Sequence, residues 1–150
     1  MLLPDDGYVL SMTYCFIDRI PTLEEHRSLS ERVCWGSAFR WEAMSASLAG
    51  TCCGAVATID DGTVIGMGRV IGAGAYFFYL QDLAVDPTQQ GRGVGSQLVQ
   101  RLVEQVKILA GGDAFIGLFA TAVAAPLYRR AGFDDQTPMQ GMWQMARVHE

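Results

Sequence analysis

Residues 80–107 read LQDLAVDP (80–87), TQQGRGVGSQL (88–98) and VQRLVEQVK (99–107), and the fold turns on how they are read. The first piece is an apolar run closed by Asp86-Pro87, the pattern of a buried strand and its stop signal. Downstream, Val94, Leu98, Leu102, Val106 and Leu109 recur at helical spacing, flanked by Val99 and Val103. Between strand and helix lies Gln90-Gly91-Arg92-Gly93-Val94-Gly95-Ser96. A strand that passes through a glycine-rich loop into a helix N-terminus presents bare backbone N–H groups to an anion, and the helix dipole adds roughly half a positive charge there. The stretch therefore predicts a binding point for a phosphate-bearing ligand.

Two common phosphate loops fit poorly. The dinucleotide fingerprint needs a third glycine where Ser96 stands and an acidic residue about 20 positions on. The nucleotide P-loop ends in Gly-Lys-Ser/Thr, and this loop has no lysine. The pattern that does match is Gln/Arg-x-x-Gly-x-Gly/Ala, met as Gln90-x-x-Gly93-x-Gly95. With the strand LQDLAVDP before it and Ala124-x-x-x-Tyr128-x-x-x-Gly132-Phe133 after it, the chain resembles the GCN5-related N-acetyltransferases over roughly residues 63–133. The resemblance implies an acyl-CoA loop, acetyl-CoA as co-substrate and no metal.

Composition is consistent with one domain over residues 1–150. Half of the 150 residues are hydrophobic and 18% are charged, a globular balance. A chain of this size buries about 68–70% of its unfolded surface and needs no staples. The net charge of −5 argues against nucleic acid and mildly favours cationic substrates. Four cysteines stand at 15, 34, 52 and 53, without a C-x-x-C pair, and His26 and His149 are the only histidines, so metal-ligand spacing is absent. Free thiols in a reducing cytosol are the simpler reading. Asp5 and Asp6 stand where a signal peptide would be basic, and no apolar run approaches the ~20 residues of a membrane span. A cytoplasmic protein is expected, with a small amine as partner, neither nucleic acid nor membrane, and room for a homodimer.

In chain order the patterns predict a strand over 8–14 and a helix from Thr22, capped with Glu25 three residues on, to about Cys34. A second helix is predicted over 40–49, then strands over 52–58, 64–71 and 76–85, with Asp60-Asp61-Gly62 and Gly72-Ala73-Gly74 as turns. After the long helix, stopped by Gly111-Gly112, residues 114–119 read as a strand buried on both faces, 122–130 as a helix and 141–148 as a last strand. The fold class is α/β (α+β): a mixed, mostly antiparallel central sheet with one parallel pair and helices on both faces. By resemblance the two parallel strands splay, and the acyl donor lies in the gap.

Acetyl transfer to an amine must neutralise a pyrophosphate, satisfy the pantetheine amides, deprotonate the amine and protonate the departing thiolate. The loop amides from Gln90 to Ser96 meet the first of these needs, since three glycines in five residues let backbone approach phosphate, and Arg92 adds a rim cation. An extended amide ligand can add to an unpaired strand edge, and the resemblance gives the backbones of Leu83 and Val85 as its partners. A backbone N–H there, Leu83 first, can also polarise the thioester carbonyl. Tyr128 matches the family's usual acid. Its alternative is a packing tyrosine, and Thr121 stands where many members carry asparagine. Asp82, alone in an apolar strand, is the candidate base, weighed evenly against a buried partner for Arg69. Glu31 and Glu42 are weaker candidates. Trp35, Phe39 and Trp41, with Arg69, are the candidate acceptor wall, able to stack a ring or clasp a cation, or else simply core. No histidine lies near Cys34, Cys52 or Cys53 in sequence, which favours direct transfer. The alternative to an enzyme is an acyl-CoA-binding regulatory module.

Overall fold

Strand β2 (Cys53–Thr58) is buried at all six positions, so both of its faces must be covered. They are covered by different helices. Ala55 and Ala57 join the core under α3 (Val94–Ala110), while Val56 joins Leu29 of α1 (Leu23–Arg32) on the opposite face. The computed structural model describes residues 12–136 and 138–148. Within them a five-stranded sheet runs β1 (Cys15–Ile17), β2, β3 (Val64–Gly72), β4 (Phe77–Val85), β5 (Phe115–Gly117), in chain order. Every pair is antiparallel except β4–β5. Helix α2 (Trp41–Ala49) follows α1, and α4 (Ala125–Arg130) follows β5.

Local chemistry explains the element ends. Thr22 and Glu25 form the expected capping box, with Thr22 Oγ1 accepting from Glu25 N at 3.2 Å and Glu25 Oε2 from Thr22 N at 2.9 Å. Helix α3 packs close to the sheet because β3 offers Gly66 and Gly68. A Cβ at Gly66 would meet Leu98 and Val94 at 3.0 Å, and one at Gly68 would meet Leu102 at 2.8 Å. The apolar stripe Val94, Leu98, Val99, Leu102 and Val106 is fully covered there.

Four predicted elements differ from what forms. The first strand is Cys15–Ile17, paired with β2 through Cys15↔Thr58 and Ile17↔Val56, and residues 8–11 of the predicted 8–14 lie outside the described residues. Strand β5 is only three residues long, Phe115 is exposed, and β5 ends the sheet order, so it is not buried on both faces. Its apolar run comes from a one-sided edge whose outer residues touch each other, Phe115 with Phe77 and Tyr79. Helix α4 starts at Ala125, because Pro126 fixes its first turn and Thr121 takes up the N–H groups of Ala124 and Ala125. Residues 141–148 form no strand and are exposed. Alternation alone gives a strand no partner.

Candidate active site

Strand β4 decides the site, because its two halves are paired differently. Phe77, Phe78 and Tyr79 pair with Phe115, Ile116 and Gly117 of β5; beyond Tyr79 no pairing with β5 continues. On its other side β4 stays with β3, but the register slips between Met67↔Ala84 and Arg69↔Gln81, a bulge that gives β4 one extra residue. Asp82 occupies the bulge with φ +55°, in the left-handed region. A bulge bends its strand, and β4 and β5 part there. A cavity of about 230 Å³ opens between them, lined by Trp35, Leu80 to Leu83, Phe119, Ala120, Thr121, Ala124 and Tyr128.

The edge of β4 toward this gap pairs with no other strand beyond Tyr79. Asp86 N bonds Ile65 O of β3 at 2.7 Å. By the two-residue alternation of a strand, Ala84 faces β3 likewise, and the backbone groups of Leu83 and Val85 face the gap. The Val85 carbonyl accepts from Gln90 Nε2 at 3.0 Å, which ties the loop back to the strand.

The loop is held from beneath. Asp86 Oδ1 accepts from Thr88 N at 2.9 Å and Thr88 Oγ1 at 2.7 Å, its Oδ2 accepts from Arg32, and Gln89 is buried with its Oε1 2.6 Å from Tyr14 Oη. Burial pushes the Asp86 carboxyl up, but Thr88 and Arg32 outweigh it and hold it below the usual range. Gly91 and Gly93 adopt φ +74° and +82°. No side chain caps α3, and its first bond runs from Gln97 N to Gly93 O at 3.1 Å. Among the described residues the N–H groups of Arg92, Gly93, Val94, Gly95 and Ser96 meet no acceptor. Such an array is a ready anion seat. Arg92 is exposed at its rim, and a Cβ added at Gly95 would meet Leu127 Cδ2 of α4 at 3.3 Å.

Two titratable groups line the cavity, Asp82 from β4 and Tyr128 from α4. Tyr128 is 8% exposed, its ring meets the edge of Phe133, and burial raises its phenol above the ordinary value. Its hydroxyl has no hydrogen-bond partner among the described residues, yet it is not sealed from solvent, so it opens to the cavity. Asp82 carries two hydrogen bonds on one oxygen: Oδ2 accepts from Arg69 Nε at 2.7 Å and lies 2.9 Å from His26 Nε2. Burial pushes the Asp82 carboxyl up, but the His26 and Arg69 hydrogen bonds and the Arg69 charge outweigh it, so the net shift is down.

The acceptor-wall residues are divided by the structure. Trp35 lines the cavity. Phe39 and Trp41 do not; they set their edges on the His26 ring, with centroids at 5.1 and 5.9 Å. Arg69 also stays behind the wall: besides Asp82, its donors are taken by Ser47 O at 3.1 Å, Ser47 Oγ at 3.0 Å and Thr51 Oγ1 at 3.0 Å. It does not line the cavity: four of its five N–H groups are placed on protein acceptors, and of these only Asp82 reaches the cavity wall. Glu31 and Glu42 pair with Arg27 and Arg40 on exposed helix faces. His26 is the residue that sequence patterning leaves unassigned. Its signal is there: a histidine on the buried stripe of α1, in a chain with one acid in an otherwise apolar strand.

A second cavity, of about 340 Å³, lies between α3 and α4 beside Ser96, lined also by Gln100, Lys107, Leu127 and Arg130. Cys53 is buried and its thiol is pushed up to about 11, chiefly by burial. Among the described residues no helix is long and apolar enough to cross a membrane, and no cluster of three His, Cys, Asp or Glu side chains could hold a metal ion.

Comparison with known proteins gives one family. The model of the acetyltransferase (GNAT) domain matches residues 51–135. Among curated proteins, GCN5-related N-acetyltransferase 2, chloroplastic, of Arabidopsis thaliana is 35% identical over 81 residues, 53% of this chain and 31% of that protein. The chain thus matches about a third of the length of its curated relatives. Among solved structures, a Staphylococcus aureus protein described as a probable acetyltransferase superposes with TM-score 0.79 and 28% identity, over 89% of this chain and 100% of that one. A predicted acetyltransferase of Clostridium acetobutylicum, solved with acetyl-CoA, shares the fold at TM-score 0.62 and 17% identity, over 87% and 95% of the two chains.

Proposed function

The chain belongs to the GNAT acetyltransferase family, and from that premise we propose that it is an acetyl-CoA-dependent N-acetyltransferase acting by direct transfer on the primary amine of a small molecule or peptide. One arrangement carries the reading: a phenol and a carboxylate line one gap between two parted strands, and the strand whose edge borders that gap runs on into a loop of unpaired amides.

The donor substrate supplies an activated acetyl group; the chain supplies its placement. The Arg92 to Ser96 amides hold the pyrophosphate, supported by the α3 dipole. The edge of β4 at Leu83 and Val85 takes the pantetheine amides as a neighbouring strand would. Leu83 N–H polarises the thioester carbonyl where negative charge develops. Asp82 Oδ1 takes one proton from the acceptor ammonium, freeing the nitrogen lone pair to attack the acetyl carbon. As the C–S bond breaks, Tyr128 gives its proton to sulfur. The second proton shed by the nitrogen restores the phenol, so one proton per turnover leaves through Asp82 to solvent. Free coenzyme A thiol titrates near 8.5 and an ordinary phenol near 10, so the phenol stays protonated and ready at neutral pH. Direct transfer is further favoured by Cys53, whose raised thiol is a poor nucleophile at neutral pH.

The test is release of coenzyme A thiol from acetyl-CoA with a panel of polyamines, arylalkylamines, amino sugars and lysyl peptides, with the acetylated product identified by mass. Turnover of one class is expected. Micromolar coenzyme A binding without turnover across the panel would make the chain a binding module instead.

A further inference from the structure

Asp82 holds a backbone conformation that non-glycine residues rarely adopt, at φ +55°. Such a residue persists where its surroundings over-determine it. They do so through a single carboxylate oxygen. Oδ2 receives Arg69 Nε at 2.7 Å and His26 Nε2 at 2.9 Å, while Oδ1 has no partner among the described residues. No sealed side-chain oxygen there lacks a partner, so Oδ1 is the oxygen open to the cavity that Asp82 lines. His26 is itself held on several sides: it is 0% exposed, its Nδ1 lies 3.3 Å from Ser30 Oγ, and the edges of Phe39 and Trp41 fix its ring. An ionised carboxylate only accepts, so Nε2 is the donor of this pair. The capping box at Thr22 starts α1 so that His26 falls on its buried stripe.

We propose that His26 is a positioning residue for the acceptor: with Arg69 it pins Asp82 Oδ2, turns Oδ1 into the gap, and so selects an acceptor that arrives as a primary ammonium. This rests on the transferase reading above. The charge pattern fits that class. Among the described residues Asp82 is the one carboxylate lining the cavity, and the cation that balances it, Arg69, does not line it. The charged or titratable groups around Asp82 are His26 from α1, Arg69 from β3 and, across the cavity, Tyr128 from α4. Arg27 of α1 sits over the far side of Trp41, 5.2 Å from its ring. The helix α2 contributes the uncharged Trp41, against His26, and Ser47, on Arg69.

His26→Phe keeps a ring between Phe39 and Trp41 and removes the donor; His26→Gln keeps a donor near the Nε2 position. Three measurements are made on each: acetyl-CoA Kd, kcat/KM for the best amine of the panel, and the Asp82 carboxyl titration followed by carbon NMR in the ligand-free protein. The Phe variant is expected to bind acetyl-CoA as the wild type does, to lose at least tenfold in kcat/KM for the amine, and to titrate Asp82 at higher pH. The Gln variant should recover most of both. If the Phe variant keeps wild-type kcat/KM and an unmoved Asp82 titration, or if both variants lose activity equally with Asp82 unmoved, His26 is a packing residue and the inference is overturned. Should the wild type acetylate no amine, the transferase reading fails by itself. The Asp82 titration then still decides whether His26 holds the carboxylate.

Discussion

The two sides of the gap are built by opposite means. The side suited to the acyl donor is backbone: the loop from Arg92 to Ser96 offers N–H groups without partners, and β4 offers an unpaired edge. The side proposed to face the acceptor is side chain: His26, Arg69, Asp82, Ser47 and Thr51 come from α1, β3, β4, α2 and the α2–β2 turn, and no buried side-chain nitrogen or oxygen among the described residues lacks a partner. A backbone site is generic, because any chain with the right φ angles can make it. A side-chain network is particular to this sequence. The difference makes the first side a test of backbone geometry and the second a test of side-chain chemistry.

The largest expected effect tests whether chemistry is shared between the two sides. Tyr128→Phe removes one proton donor and almost no volume, and the edge contact with Phe133 survives. Acetyl-CoA affinity should stay the same, since the phenol acts on charge that appears only as sulfur departs. Turnover should fall roughly 10²–10⁴-fold, in kcat and kcat/KM alike. Because burial raises the phenol, any alkaline limb it causes in the wild type should lie above pH 10 and vanish in the variant. Near-normal turnover with chemistry rate-limiting would return Tyr128 to a packing role.

The next effect separates the sides by stability. Asp82→Asn leaves Arg69 buried without its counter-charge, which costs about 3–5 kcal/mol near neutral pH. The sign of the pH dependence follows from the direction of the shift. The Asp82 carboxyl is held below its ordinary value, so its contribution is present above the unfolded value of about 3.9 and is lost as pH falls through the folded value. In urea unfolding, the gap between wild type and variant should be wide at pH 7 and narrow below about pH 4. A gap that does not change with pH would mean that the ion pair is not what stabilises this wall.

This contrast also explains what can be read from the sequence. Gln90, Gly93 and Gly95 advertise the loop because glycine and its spacing encode backbone geometry directly. The strand–loop–helix order and the meander before it follow from the same local signals. The Asp82–Arg69 pair is within reach, since a lone acid in an apolar strand needs a partner. Its third member is not: His26 lies 56 positions from Asp82, and only the bulge between Met67 and Arg69 brings the carboxylate over α1. A bulge leaves no sequence mark when its left-handed residue is an aspartate instead of a glycine. Phe39 and Trp41 read as a ligand wall for a related reason, since aromatics packed on a buried histidine and aromatics lining a pocket have the same spacing.

The smallest effect falls on the backbone side and asks whether the loop is a ligand seat or only a tight turn. Gly93 has φ +82°, and a Cβ there would meet nothing within 4 Å, so a substitution adds strain and fills open space at the loop without any clash inside the protein. Gly93→Val should cost about 1–3 kcal/mol of stability from strain and weaken coenzyme A roughly tenfold or more through lost amide hydrogen bonds. Gly74 is the control: its φ is +78°, its Cβ would also meet open space, and it lies in the β3–β4 turn away from the gap. Gly74→Val should show similar strain in thermal denaturation with coenzyme A affinity untouched. Gly93→Asn divides the two causes further, because asparagine tolerates the left-handed region. If the loop seats the pyrophosphate, Asn restores most of the stability but not the affinity, since its side chain still takes up open space that the ligand would need. Full recovery of both would mean that only the turn matters and that the anion sits elsewhere.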